Sequence, residues 1–290
     1  MINSKNRKPT RRAGIRMLSA GGVWAGLELI GSRPLAAAAQ RQAKAFALVG
    51  DRYHNADYIK VALRRTLVKE AGLSIDFRDE PADLTAERLK GYRMLIVFRD
   101  GMLWPDGYAL EGGGPGRGES KFISDPPLPQ VKEASVPWIT PAQGKAIKDF
   151  VQNGGAAFFY HNTNYISPDN ADFRDVQGAI TQGHPPLRPY RVRITNRDHP
   201  ITRGVNDFTV TDEQHYVTYE KDPKFVLMRN INEDGLTYKN FGTSAEAGWA
   251  YEYGKGRMCF LSPGHTIAAL WNPEYVKLQH NAVKWLLREN

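Results

Sequence analysis

Two histidines and a glutamate that follow apolar, strand-like runs could carry the chemistry of this chain. They are His161, Glu213 and His265, and the runs before them span 156–160, 208–211 and 258–261. Carboxyl ends of parallel strands meet at one edge of a sheet, and α/β proteins usually bind ligands in the crevice there. We therefore expect the three side chains to lie close together at that edge.

Two kinds of chemistry suit these residue types. His54 also follows an apolar run, so three imidazoles and one carboxylate would face the crevice and could ligate a divalent metal such as zinc. The same groups suit metal-free proton transfer, because a histidine of near-neutral pKa beside a glutamate supplies an acid and a base. The sequence predicts His161, Glu213 and His265 as catalytic residues or as metal ligands, and it leaves both alternatives open.

Five further residues at or near these strand ends are predicted to bind substrate. They are His54, Asp100, Asn162, His215 and Trp271. The Trp271 ring is a candidate for stacking against the C–H face of a sugar. The other histidines are expected to be structural, and they are His184 in a loop, His199 in a turn and His280 in the last helix.

The elements that must position these residues follow an alternating order. Strand-like runs at 45–50, 73–77 and 93–98 are separated by helical patterns, and this βαβαβ order predicts an α/β domain with a mostly parallel sheet and helices on both faces. Thr140-Pro141 predicts a helix start, and Gly254-Lys255 predicts a hairpin between strands at 247–253 and 256–261.

Residues 99–138 interrupt this order with glycine and proline clusters and predict a long lid-like or disordered loop. Its glycine run lacks the spacing and the Lys-Ser/Thr pair of a phosphate-binding loop. The single cysteine, Cys259, lies inside an apolar run and is expected in the core rather than as a nucleophile.

Residues 1–40 have the layout of a cleaved export signal: a basic start, a modest apolar stretch and a run of small residues. The text around Arg11-Arg12 is similar to a twin-arginine signal, with Gly14 where that signal usually has a bulky apolar residue. An amphipathic N-terminal helix or an organellar transit peptide is the alternative. We expect a mature domain at 41–290, located in the periplasm or secreted.

Charge and hydropathy exclude some classes of partner. Residues 1–40 hold seven of the 39 Lys and Arg and one of the 31 Asp and Glu, which leaves 32 basic and 30 acidic residues, a net charge of +2. No clustered basic surface of the kind that binds nucleic acid is expected on the remainder. No run approaches the roughly 20 apolar residues that span a bilayer, so we expect no stable membrane span.

Several stretches after about residue 45 resemble one family when taken together in their order and spacing. They read HPITRG at 199–204, DFTVTDE at 207–213, YGKGR at 253–257, SPGH at 262–265 and WNPE at 271–274, with Gly154-Gly155 leading to His161. They resemble the ThuA-like (trehalose-utilisation) family of the class I glutamine amidotransferase-like superfamily. The resemblance implies a flavodoxin-like three-layer sandwich and an association with carbohydrate utilisation, without fixing a reaction.

The chain departs from that superfamily at its nucleophile. The strand end that carries the amidotransferase cysteine looks here like His161, so glutamine hydrolysis has no covalent route. Glu213 is also followed by Gln214, His215 and Tyr216, where the family more usually has an apolar residue and then Tyr. We expect a hydrolase or isomerase that acts on a small carbohydrate. The alternative is a non-catalytic carbohydrate-binding or accessory module, and the sequence leaves open whether the chain forms a homo-oligomer.

Overall fold

The structure is a computed structural model that describes residues 44–104 and 135–289. The export signal predicted at 1–40 lies outside the described residues, as do the glycine and proline clusters of the loop predicted at 99–138. The described residues all belong to one structural unit. Within them, no helix is both long and apolar enough to cross a bilayer.

Thirteen strands and six α-helices are found in the described part of the chain. The strands are β1 (Ala45–Val49), β2 (Ile75–Arg78), β3 (Met94–Phe98), β4 (Met102–Leu103), β5 (Val136–Pro137), β6 (Ala156–Tyr160), β7 (Ala179–Gly183), β8 (Arg188–Ile194), β9 (Phe208–Asp212), β10 (Tyr216–Tyr219), β11 (Val226–Ile231), β12 (Ser244–Tyr253) and β13 (Gly256–Leu261). The helices are α1 (Ala56–Leu63), α2 (Ala86–Leu89), α3 (Pro141–Gln152), α4 (Ala171–Gln177), α5 (Ile267–Leu270) and α6 (Pro273–Leu287).

Nine of these strands form the central sheet, in the order β2-β1-β3-β6-β13-β12-β11-β8-β9. The first five are parallel, as the alternating strand and helix patterns predict. The predicted hairpin joins β12 to β13, and the pairing stays antiparallel from there to β9. Because four antiparallel pairings, an even number, separate β13 from β9, β9 runs the same way as β1, β3, β6 and β13. Their carboxyl ends therefore lie at one edge, which we call the carboxyl edge.

Helices cover both faces of the sheet and give the predicted three layers. Successive strand residues point to opposite faces, so Ala47 packs with Ile59 of α1 and Leu278 of α6. Its neighbour Phe46 faces the other side, in the cluster that contains Ile147 of α3. Each fully buried Leu, Ile or Phe side chain stabilises the fold by about 1.5–3 kcal/mol. The α/β class and the flavodoxin-like arrangement are confirmed.

Helix starts agree well with the sequence. Thr140 caps α3 by accepting a hydrogen bond from Gln143 N at 3.2 Å, and Gln143 Oε1 accepts one from Thr140 N at 2.9 Å. Asn272 caps α6 in front of Pro273. The helical pattern of α1 continues as a π-helical segment, Arg64–Glu70, which periodicity does not distinguish from an α-helix.

Three elements carry no clear pattern in the sequence, and they are α4, β7 and β10. The two strands form a separate antiparallel pair outside the central sheet. Most residues of β7 are half-buried. Its sequence therefore does not show the alternation of apolar and polar residues that marks a strand with one buried face. This small pair is nevertheless important, because the segment between β9 and β10 carries the functional candidates Glu213 and His215.

Candidate functional site

Four side chains from four strand ends converge at the carboxyl edge, and we call them the imidazole cluster: His54, His161, Glu213 and His265. One ligand atom of each lies within 4.8 Å of those of the others. They follow β1, β6, β9 and β13, four strands that run in the same direction. The structure thus brings together the three histidines and the glutamate that the sequence analysis places at this edge.

His161 reaches the cluster through an unusual backbone turn. Its φ is +49°, in the left-handed region, and it begins the 3₁₀ turn His161–Tyr165 directly after β6. A non-glycine residue there typically costs about 1–3 kcal/mol, which surrounding contacts must offset. A Cβ at Gly264 would stand 2.6 Å from His161 Cβ, so glycine is needed at 264 for this approach. The resemblance places the nucleophile of the amidotransferases on such a tight turn.

Two histidines have their Nδ1 atoms engaged by acceptors, which fixes where their lone pairs point. His161 Nδ1 lies 2.8 Å from the carbonyl oxygen of Ser262, which can only accept, so Nδ1 carries the hydrogen. His54 Nδ1 lies 2.9 Å from Asp51 Oδ1 and 2.8 Å from Asn162 Nδ2, which donates to the other oxygen of the same carboxylate. Both Nε2 atoms then point into the cluster, 3.1 Å apart, and His161 Nε2 also lies 3.3 Å from Glu213 Oε2. A hydrogen on His161 Nε2 or a cation between the rings satisfies both nitrogens at this distance.

The remaining two ligands close around the same point. His265 Nδ1 lies 3.0 Å from His54 Nε2 and 3.1 Å from Glu213 Oε1. Glu213 Oε2 lies 3.3 Å from His161 Nε2. Nitrogens bound to a tetrahedral zinc ion are about 3.3 Å apart, because each bond is about 2.0–2.1 Å long. These three distances and the 3.1 Å between the two Nε2 atoms are close to that value, whereas His54 Nε2 and Glu213 Oε2 are farther apart, at 3.9 Å.

Asp51 orients the first of these histidines and was not among the predicted site residues. Besides His54 Nδ1, it accepts hydrogen bonds from Asp100 N at 2.9 Å and from Asn162 Nδ2 at 2.6 Å. Burial alone would raise its pKa, but the hydrogen bond and charge of His54 lower it. A carboxylate behind a histidine is the usual support of a metal ligand. The signal in the sequence is an acidic residue two positions after the end of β1.

Asp212, the last residue of β9, plays a similar part for the loop that follows β13. Its carboxylate accepts hydrogen bonds from the backbone N atoms of His265 and Thr266, both at 3.1 Å. It also lies 3.8 Å from His161 Nδ1. This single buried carboxylate ties the end of β9 to the end of β13, and so places Glu213 opposite His265.

The electrostatics of the cluster centre on an ionised glutamate. Burial would raise the pKa of Glu213, but hydrogen bonds from His161, His215 and His265 outweigh it and hold that pKa far below its usual range. Burial would lower the pKa of His161, but Glu213 and Asp212 raise it overall. For His54, burial dominates and lowers the pKa despite Asp51. The site thus surrounds an ionised carboxylate with imidazoles, and this charge stabilises either a protonated His161 or a bound metal cation.

The predicted substrate-binding residues reach different places. Asn162 contacts Asp51, and Asp100 supports the same carboxylate through its backbone N while its own side chain accepts from Met102 N. Burial and the charge of Asp51 raise the pKa of Asp100 to about 7. His215 Nε2 lies 3.3 Å from Glu213 Oε2. Three of these residues therefore adjoin the cluster.

Trp271 is not brought to the cluster. Its indole N donates to the carbonyl of Ala62 at 3.5 Å, and the Arg65 guanidinium lies 4.6 Å from its ring centroid. Helix α5 separates it from His265 in the chain and carries it to the packing against α1. Sequence proximity to His265 was therefore a poor guide to its position.

Of the remaining histidines and the cysteine, His184 lies near Glu213, and the others lie elsewhere in the fold. His184, expected to be a structural loop residue, has its Nε2 3.6 Å from Glu213 Oε2. His199 packs against Trp285, and His280 Nε2 lies 2.8 Å from the carbonyl oxygen of Thr66, as expected for structural residues. Cys259 is buried in β13, and burial raises the pKa of its thiol, which removes it as a nucleophile.

Comparison with known proteins places this geometry in context. The family model described as ThuA, trehalose utilisation, matches residues 130–286, more than half of the chain. That range includes His161, Glu213 and His265 but not Asp51 or His54. No curated protein matches the chain significantly.

Solved structures show the same fold at low sequence identity. A ThuA-like protein from Bacteroides uniformis ATCC 8492 is 16% identical with a TM-score of 0.57, over 87% of this chain and 94% of that one. A second, from Parabacteroides merdae ATCC 43184, is 14% identical with a TM-score of 0.60, over 84% of this chain and 90% of the other.

Proposed function

The chain belongs to the ThuA family, and from that premise we propose that it is an enzyme acting on a sugar or sugar derivative with a divalent cation of the zinc type. His54, His161, His265 and Glu213 hold the cation. The reaction is a hydrolysis or an isomerisation, because both proceed by proton transfer and charge stabilisation at hydroxyl and carbonyl groups. The family's description, trehalose utilisation, supports a carbohydrate as the substrate.

One observation supports the cation above all others: one ligand atom each of His54, His161, His265 and Glu213 lies within 4.8 Å of the other three. Acceptors behind two of the rings, the Asp51 carboxylate and the Ser262 carbonyl, contact Nδ1 and turn Nε2 toward this point. Metal ligands are oriented in this way by their outer hydrogen bonds.

Access to the cluster is from the His265 side. The side chain of His265 is 29% exposed, compared with 5% for His54 and none for His161. A bound cation of this type lowers the pKa of its water to about 7 or polarises a carbonyl oxygen. The chain's own residues fix the three imidazoles, keep Glu213 ionised and leave the His265 side for substrate.

Two features argue against glutamine amidotransfer on this fold. His161 occupies the strand-end turn where the resemblance places the amidotransferase cysteine. Cys259 lies in the middle of β13 with no exposed surface, and its raised thiol pKa opposes thiolate formation. A covalent thioester route therefore has no nucleophile among the described residues.

The test combines metal analysis with turnover. Purified mature protein is assayed for bound metal, then screened against a panel of disaccharides and oxidised sugar derivatives before and after chelation and zinc restoration. We expect activity that chelation removes and zinc restores, and that His265→Ala abolishes while His280→Ala preserves it. Stoichiometric metal without turnover, but with sugar affinity, would favour the non-catalytic carbohydrate-binding module. Full activity after chelation would overturn the metal-dependent mechanism.

We propose further that residues 1–40 direct export by the twin-arginine route, so that the enzyme works in the periplasm or outside the cell. The support is the basic, apolar and small-residue layout around Arg11-Arg12. Replacing both arginines by lysine should retain the full-length chain in the cytoplasm, as cell fractionation would show. Unchanged export of that variant would exclude the twin-arginine route.

A further inference from the structure

A second pair of histidines lies beside Glu213, outside the imidazole cluster. His184 follows β7 and His215 precedes β10, and the antiparallel pairing of these strands sets Gly183 opposite Tyr216. The pairing therefore brings the two imidazoles together. Their rings stack with centroids 4.8 Å apart and an interplanar angle of 10°. The sequence alone predicted His215 to bind substrate and His184 to be a loop residue.

Both rings point a nitrogen at the same carboxylate oxygen. His184 Nδ1 lies 2.9 Å from the carbonyl oxygen of Pro185, so it donates there and leaves Nε2 bare, 3.6 Å from Glu213 Oε2. His215 Nε2 lies 3.3 Å from that oxygen. The His215 ring is 1% exposed, and its Nδ1 has no hydrogen-bond partner among the described residues. Without a cation His215 Nε2 donates to Glu213, and a cation bound at Nε2 would move the ring hydrogen to Nδ1.

We propose that His184, His215 and Glu213 form a second divalent-cation site, with the Glu213 carboxylate shared between two cations. Their ligand atoms lie within 4.8 Å of one another, and they form a set distinct from the imidazole cluster, joined to it through Glu213. Paired metal sites in enzymes place their ions about 3.5–4 Å apart, a spacing that one bridging carboxylate spans.

The second cation defines the class of substrate more narrowly. Two cations beside one another bind two neighbouring oxygen atoms of the same molecule. A vicinal diol or an α-hydroxy ketone of a sugar offers such a pair, whereas a simple alcohol offers one. This inference rests on the proposed function for the first cation, and the experiment must separate the two.

The experiment counts cations per chain. Metal-free mature protein is titrated with Co²⁺, followed by absorption in the visible region, and the zinc content after dialysis is measured by elemental analysis. We expect two equivalents for the unaltered chain and one for the His184→Ala/His215→Ala variant. The control variant His199→Ala/His280→Ala removes two structural imidazoles and should keep two. The single variant His184→Ala changes only a partly exposed loop side chain, and it should weaken the second equivalent at least tenfold without unfolding the protein.

Each outcome decides between the two sites. One equivalent in the unaltered chain, lost in His54→Ala/His265→Ala but kept in His184→Ala/His215→Ala, would overturn the second site and leave the first intact. One equivalent with the opposite dependence would support the His184 site and overturn the first. Two equivalents that both persist without His184 and His215 would show that these residues serve Glu213 only by hydrogen bonding, and would overturn the proposal.

Discussion

The two edges of the central sheet differ more in chemistry than in shape. At the amino edge, a cavity of about 590 Å³ is lined by Leu89, Tyr92, Phe150 and Leu286 among others. Some of the polar side chains around it have partners, for example Arg93 Nη2, which donates to the carbonyl of Leu287 at 2.9 Å. At the carboxyl edge, three imidazoles converge on one ionised carboxylate.

The size of a cavity is therefore a weaker guide to function than a group of side chains whose ligand atoms converge. The amino-edge cavity has a mixed lining, and its charged side chains Lys90 and Asp149 pair with Glu87 and Lys145. At the carboxyl edge, the ligand atoms of the imidazole cluster lie within 4.8 Å of one another, and the Nε2 atoms of His54 and His161 are 3.1 Å apart. The comparison predicts that changes at the carboxyl edge alter ligand binding, while changes at the amino edge alter stability.

The largest effect should come from the histidine on the strained turn. His161→Ala removes a ligand from the centre of the cluster, and zinc affinity should fall by more than the 10–100-fold that is typical of outer-shell changes. Competition with a chromogenic chelator measures it. His199→Ala is the matched control and should bind zinc normally. Equal affinity in His161→Ala and the unaltered chain would remove the distinction between the two edges.

The amino edge should respond in the opposite way. Leu286 is buried beneath the amino-edge cavity, and Leu286→Ala should lower the free energy of unfolding by about 2–5 kcal/mol. Urea denaturation measures this change, and the zinc affinity of the folded variant should be unchanged. A large loss of zinc affinity in the folded variant would mean that the two edges are energetically coupled.

A smaller effect is expected at Asp51, which contacts the ligand His54 rather than the cation. Asp51→Asn replaces the carboxylate behind His54 by an amide, which no longer favours the required tautomer, and zinc affinity should fall about 10–100-fold. The exposed Asp57, at the start of α1, gives the control Asp57→Asn. The same chelator competition applies to both, and equal affinities would show that Asp51 has only a structural role.

The smallest expected effect is the pH dependence of zinc affinity and of stability. Zinc displaces the protons of its ligands, so affinity should fall as the pH drops below the raised pKa of His161. Without metal, the stability of the protein should change with pH in the opposite direction to the zinc affinity. The pKa of His161 is higher in the folded protein than its unfolded value of 6.5, so its protonation stabilises the fold below that value. This contribution disappears as the pH rises through the folded pKa. The metal-free protein should therefore have a higher free energy of unfolding than His161→Gln at acidic pH, and this difference should become smaller as the pH rises. Urea denaturation at several pH values measures it, and a constant difference would contradict the assignment.

Much of the fold could be predicted because strand and helix patterns are local. The βαβαβ order, the Thr140 cap and the hairpin at Gly254 follow from short-range preferences of the chain. The convergence of His161, Glu213 and His265 could also be anticipated, since strands of one direction share an edge. What carried these predictions was periodicity, together with the rule for the ends of parallel strands.

The rest of the site depends on long-range contacts that no local pattern encodes. Asp212 meets the backbone of His265 across the sheet, and His184 reaches Glu213 only because β7 pairs with β10. Trp271 was placed near the site by its closeness to His265 in sequence, but a single helical turn between them is enough to redirect it. The sequence therefore predicts the site residues at the strand ends better than the residues that surround them in the folded protein.

The central claim, that the imidazole cluster holds a metal ion, is tested most directly by anomalous diffraction. Crystals of the mature protein grown with zinc would be measured on both sides of the zinc absorption edge. We predict an anomalous peak about 2.0–2.1 Å from the Nε2 atoms of His54 and His161, with His265 and Glu213 completing the site. An intact cluster with no anomalous peak at that position would contradict the account.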